Sequence, residues 1–129
     1  IAREIERLPG PVAVMVDTPR TSVDIPGCIA EHPDDVRACA ISRSVGFDNL
    51  FGVREARVAA LSGAAVVDIV AAVCPAMPCQ VIRDGMILYR DNHHLSATFS
   101  VSLAPVLAAQ LARTVPSAFP IPMQGQATP

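Results

Sequence analysis

PVAVMVDTP (residues 11–19) carries five consecutive apolar residues, Val12 to Val16, three of them β-branched, and closes on Asp17-Thr18-Pro19. An uninterrupted apolar run of this length, rather than an alternating one, predicts a strand covered on both faces, as in a parallel sheet. Upstream, Ile1, Ile5 and Leu8 are spaced like the last turns of an amphipathic helix, which Pro9-Gly10-Pro11 ends. Downstream, Pro33-Asp34-Asp35 ahead of Val36-Arg37-Ala38-Cys39 predicts a helix with proline and acidic residues in its first turn. Residues 53–62 (VREARVAALS) predict a second helix, with Val53, Ala56, Ala60 and Leu61 on one side and Gly63 as its stop. Ala65 to Val70 then predicts a second strand. Strands alternating with helices make the class α/β, although two such strands form a thin sheet.

The C-terminal half adds a hairpin and a helix. Val81-Ile82 and Met86-Ile87-Leu88-Tyr89 flank Asp84-Gly85, a strong two-residue-turn pair. Ser96 can cap a helix running to about Ala112, with Pro105 as a possible kink. Residues 114–129 are Pro-rich and aperiodic, which predicts an extended, poorly ordered tail after a domain spanning 1–113.

Composition narrows the function classes. A chain of 129 residues is the size of one domain; 51% of it is hydrophobic and 17% charged, which supports a packed core. Every basic residue other than histidine is an arginine, none of them clustered, and there is no tryptophan and a single tyrosine. Nucleic-acid binding is therefore not expected. The apolar stretch from Ala59 to Pro78 is interrupted by Ser62, Gly63 and Asp68, which argues against a membrane span. IAREIERLPG resembles a helix entered partway, so more chain is expected upstream.

Four cysteines, Cys28, Cys39, Cys74 and Cys79, admit three pairings, or four free thiols in a reducing compartment. They fall into two local pairs, and CPAMPC suits a short closed loop. Disulfides would indicate an oxidising, extracytoplasmic setting. A zinc site built from Cys74, Cys79, His93 and His94 lacks the spacing of known structural sites, and no metal or other cofactor is expected.

The stretch with chemistry in it is YRDNHHLS, residues 89–96. An imidazole can shuttle a proton near neutral pH if a carboxylate orients its other nitrogen. Asp91 and His94 can meet across a loop-to-helix junction without sharing a helical face.

YRDNHHLS resembles the final block, D-x-x-H-L-[ST], of SGNH hydrolases, and more narrowly that of the extracytoplasmic SGNH domain fused to bacterial membrane-bound acyltransferase-3 proteins. VAVMVDTP, Cys28 and Cys39, the CPAMPC loop, the hairpin and HLSATFSVSLAP extend the resemblance over roughly residues 11–112. It implies a flavodoxin-like, three-layer α/β domain that moves an acyl group, commonly acetyl, to or from a sugar hydroxyl of cell-envelope glycans. His94 would be the general base and Asp91 its carboxylate. His93 falls on a variable position and is expected to face solvent or to contact substrate. Asp17, read from its place at the end of a strand near the sheet's ligand-binding edge, is a turn former or a second substrate-binding candidate. The acyl donor, a glycan acceptor and an upstream membrane domain are the partners implied. Disulfides Cys28–Cys39 and Cys74–Cys79 are expected.

The chain departs from the pattern where the nucleophile belongs. Gly-Asp-Ser occurs nowhere in the 129 residues, and the Gly and Gly-x-Asn-Asp blocks that help form an oxyanion hole are not recognisable. The resemblance therefore covers the C-terminal part of the family's domain. Ser96, Ser100 and Ser102 lie on the expected last helix, where capping explains Ser96. Ser42, Ser44 and Ser62 have no nucleophile-elbow context. Two readings follow: part of an O-acyltransferase or esterase whose serine lies elsewhere, or an inactive, disulfide-stapled binding module. Asp34, Asp35, Asp48 and Asp84 are expected in caps and turns, and Arg54 and Arg57 on a solvated helix face. A sheet of two strands is also expected to leave an open edge through which copies can associate.

Overall fold

The computed structural model describes residues 2–47 and 51–117, so Asp48 and the chain beyond residue 117 lie outside the described residues. Its central element is a parallel pair, β1 (Ala13–Met15) and β2 (Ala65–Val67), in the register Ala13↔Ala65 and Met15↔Val67. The ladder is extended by Ala65 N–H to the Val12 carbonyl and Val16 N–H to the Val67 carbonyl. Val66 and Val67 point to opposite faces, as adjacent strand residues must. Val66 packs with Ile5, Ala59, Ala64, Val12 and Val14, whereas Val67 joins the larger core with Ile25, Leu88, Phe99 and Leu103. Helices thus cover both faces, and the α/β class follows from that layering.

The helix on the first face is α4 (Phe51–Leu61), the crossover between the two strands; the short α1 (Ala2–Ile5) lies against it. Gly63, at φ +77°, turns the chain from α4 into β2. The face α4 buries is rotated from the expected one: Ala59 is fully buried, while Val53 and Leu61 are 69% and 79% exposed. Gly52, Glu55, Ala56 and Ala59 form the inward stripe at i, i+3, i+4, i+7. The stripe meets the strand through small residues: a Cβ built on Gly52 would lie 3.5 Å from Val16 Cγ1.

Between β1 and α4 the expected helix after Pro33 is replaced by two shorter elements. α2 (Ile25–Glu31) starts earlier, with Asp24 Oδ2 accepting the Gly27 N–H at 2.8 Å and Pro26 in the first turn. Val36–Cys39 is one 3₁₀ turn, stapled to α2 by the Cys28–Cys39 disulfide (S–S 1.99 Å), and α3 (Arg43–Gly46) follows. After β2, Asp68 accepts the Val70 N–H and starts α5 (Val70–Val73). The Cys74–Cys79 disulfide (S–S 2.00 Å) closes the next loop, and Ile41 pairs with Cys79 in an antiparallel bridge.

The hairpin forms as its turn chemistry dictates. β3 (Ile82–Arg83) and β4 (Met86–Ile87) pair antiparallel around Asp84 (φ +50°) and Gly85 (φ +74°). Arg83 reaches back to cap α5, donating to the Ala72 and Val73 carbonyls at 2.6 Å each. The last helix is two: α6 (Ala97–Ser102) and α7 (Ala104–Thr114) meet at Leu103, where Pro105 in the first turn of α7 has no N–H to continue the ladder. Val115, just past α7, is buried. β1 is less covered than an all-apolar strand implies: Met15 is 51% exposed, and no strand among the described residues lies on the outer side of β1.

Candidate active site

The loop Arg90–His94 projects from a closed stem. Tyr89 and Leu95 form an antiparallel bridge, Arg90 N–H donates to the His94 carbonyl at 3.0 Å, and Ser96 N–H donates to the Leu88 carbonyl at 2.8 Å. Ser96 then serves both sides of the junction. Its hydroxyl donates to the Ile87 carbonyl at 2.6 Å and accepts the Phe99 N–H that opens α6. The loop is thereby held between the end of the hairpin and the start of a helix.

Inside it, Asp91 organises both histidines. Its Oδ1 accepts the backbone N–H groups of His93 (2.9 Å) and His94 (2.7 Å), and its Oδ2 lies 2.8 Å from His94 Nδ1. The two backbone bonds, His93 first and His94 second, hold the Asp91 carboxyl well below the usual carboxylate range; desolvation opposes them, and the His94 ring adds a lesser lowering through its hydrogen bond and charge. An ionised carboxylate only accepts, so His94 Nδ1 carries a proton and Nε2 is the basic nitrogen of the neutral ring. The His94 ring is half-exposed.

His93 stands beside it, ring centroids 3.9 Å apart and planes tilted by 42°. Its Nδ1 lies 2.6 Å from Asn92 Oδ1 and 3.6 Å from Asp91 Oδ1. Both histidines line an open cleft of about 440 Å³ with Met15, Val16, Asp17, Thr18, Glu55 and Leu95. The cleft lies at the carboxyl end of β1, where open parallel sheets bind ligands. Asp17 lines the same cleft, its carboxylate accepting the Thr18 N–H and pairing with Arg20 at 2.7 Å. Glu55 of α4, on the same cleft, was not singled out from the sequence; it reads there as one more charge on a helix face.

Asp91, His93 and His94 bring potential metal-ligand atoms within 4.8 Å of one another. In this arrangement, however, both Asp91 oxygens and both Nδ1 atoms are engaged with partners inside the loop. Cys74 and Cys79 are joined as a disulfide, which removes their thiolates from any zinc site. Among the described residues, no serine hydroxyl is hydrogen-bonded to His94: Ser96 and Ser102 bond backbone carbonyls, and Ser42 and Ser44 bond each other. The arrangement can therefore accept and return a proton at Nε2, with a carboxylate behind it. It holds no nucleophile of its own at hydrogen-bond distance.

Sequence reasoning missed the contacts that anchor this loop to the rest of the molecule. Tyr89, buried to 1% exposure, donates its phenol to the Pro19 carbonyl at 2.8 Å, and Thr21 N–H donates to the Asn92 carbonyl at 2.9 Å. Desolvation, with the Asp17 charge second, pushes the Tyr89 phenol up to about 12. The one sequence signal was that the chain's single tyrosine precedes Arg90-Asp91.

No curated protein and no solved structure shows a significant match. A family model described as "SGNH domain (fused to AT3 domains)" matches residues 1–109, which takes in the β1 strand, both disulfides, Asp91 and His94. The chain belongs to that family, the SGNH domains that occur fused to acyltransferase-3 domains.

Proposed function

We propose that this chain is the C-terminal part of a flavodoxin-like SGNH domain that transfers acyl groups to, or hydrolyses them from, hydroxyls of cell-envelope glycans outside the cytoplasm. The observation that carries the reading is the 2.8 Å contact of His94 Nδ1 with an Asp91 carboxylate fixed by two backbone N–H groups. In the proposed reaction a serine from outside these 129 residues attacks the acyl carbonyl. His94 Nε2 takes its proton, and Asp91 orients the ring and stabilises the imidazolium. Collapse of the tetrahedral adduct releases the donor's leaving group, which takes that proton. A glycan hydroxyl, or water, then gives a proton to His94 and attacks the acyl-serine; collapse of this second adduct expels the serine oxygen, which takes the proton back from His94. The sequence requires no metal or organic cofactor. The acyltransferase-3 domain is the natural source of acyl groups, and two disulfides suit an extracytoplasmic location.

The open side of β1 supports the partial-domain reading. Its ladder to β2 uses the Val12 carbonyl and the Val16 N–H, so by parallel alternation the peptide groups of Ala13 and Met15 face outward. A further strand of the same sheet, or a second copy of this chain, can pair there. The absence of Gly-Asp-Ser from the sequence favours a second reading, an inactive disulfide-stapled module.

Turnover of a small acetyl ester separates the two. The chain alone is expected to be silent. The longer polypeptide carrying a Gly-Asp-Ser block is expected to be active, with kcat falling by roughly 10⁴ in Asp91→Asn and at least as far in His94→Ala. Activity retained within tenfold in His94→Ala sinks the catalytic reading, and a silent longer polypeptide favours the inactive module.

A further inference from the structure

The segment after β1 grips the histidine loop from outside. The Tyr89 phenol reaches the Pro19 carbonyl across 70 residues of sequence, and Thr21 N–H reaches the Asn92 carbonyl. The two contacts land on either side of Asp91, one residue from it in sequence on one side and two on the other. The gripping segment is itself braced: Asp17 accepts the Thr18 N–H at 3.0 Å and the Arg20 guanidinium at 3.2 and 2.7 Å.

We propose that Tyr89 is a positioning residue for the Asp91–His94 pair, with residues 17–21 as the bracket through which it acts. The inference rests on the catalytic reading of that pair and adds what keeps the pair assembled. Asp91 holds His94 only while the loop backbone presents the His93 and His94 N–H groups to Oδ1. A five-residue loop with half-exposed side chains opens locally at little cost unless its backbone is tied elsewhere. The bracket supplies that tie from a different element of the fold. It also gives Asp17 a structural task, shaping the bracket. Displacing a general base by about 1 Å is enough to lose on the order of 10²-fold in rate, so the tie has catalytic weight without touching substrate.

Amide hydrogen exchange on the chain itself tests this. Tyr89→Phe keeps the ring and removes only the donor. It is expected to raise exchange at the His93 and His94 N–H groups by about tenfold relative to the amides of α6, the scale of one lost buried hydrogen bond. Thr114→Val, which removes a comparable hydroxyl bond (Thr114 Oγ1 to the Gln110 carbonyl, 2.9 Å) in α7, is expected to leave those two amides unchanged. An unchanged rate at His93 and His94 in Tyr89→Phe, or the same rise at every amide, overturns the proposal. If Tyr89→Phe does not fold, Arg20→Ala decides it from the exposed side of the bracket: a several-fold rise at the same two amides supports the tie, and no rise overturns it. The catalytic reading fails separately, through activity kept in His94→Ala, and that result leaves the exchange data standing.

Discussion

Asp91 binds backbone before it binds a ring: two peptide N–H groups meet one oxygen and the His94 imidazole meets the other. Its carboxylate is thus ionised through neutral and mildly acidic conditions, and its orientation is set before any substrate arrives. That much was legible in D-x-x-H, because every contact lies within three residues. His93 is turned to Asn92, a neighbour whose role the spacing did not disclose. Tyr89 lies beyond local reading, since its partner is distant in sequence. It provides its own test, as the chain's only tyrosine in a protein without tryptophan. Phenolate absorbance is expected to appear near pH 12 rather than 10, as the buried ring resists ionisation. The sign follows from the raised value: the neutral phenol contributes its full stability below pH 10, and that contribution drains away between about 10 and 12. A titration midpoint near 10 would mean that the ring is solvated and the bracket open.

At the scale of elements, caps and turns were the most readable features. Asp84-Gly85 makes its hairpin and Ser96 opens its helix, because each acts through its own backbone neighbours. Ser96→Ala removes the cap and the bond to the Ile87 carbonyl together. It is expected to lower stability by about 1–2 kcal/mol in urea melts, and a change under a few tenths would deny the junction its structural weight. The face of α4 was misjudged by about one position. Amphipathicity favoured Val53, Ala56, Ala60 and Leu61, but the packed helix buries Ala59 and leaves Val53 and Leu61 exposed. The same limit applies to Val36–Cys39, whose composition allows a helix but whose disulfide to α2 leaves room for a single 3₁₀ turn.

For the molecule as a whole, two parallel strands carry helices on both faces, and two disulfides fasten the loops around them. In the chain-entropy view the Cys28–Cys39 closure, separation 11, restrains the unfolded chain by roughly 3 kcal/mol. The Cys74–Cys79 closure, separation 5, restrains it by about 2. Replacing each pair with serine is expected to rank them in that order by denaturant midpoint, and the reverse order would show that native-state packing of the CPAMPC loop dominates. The sequence by itself left the cysteine pairing to the family resemblance; it determined the α/β class, the hairpin and the closeness of Asp91 to His94. Each of these depends on residues a few positions apart or on a periodicity the chain carries along its length. Only the tertiary structure decided which face α4 buries and which segment clasps the histidine loop. Those outcomes turn on how closely separate elements approach, a property of side-chain volumes meeting in space.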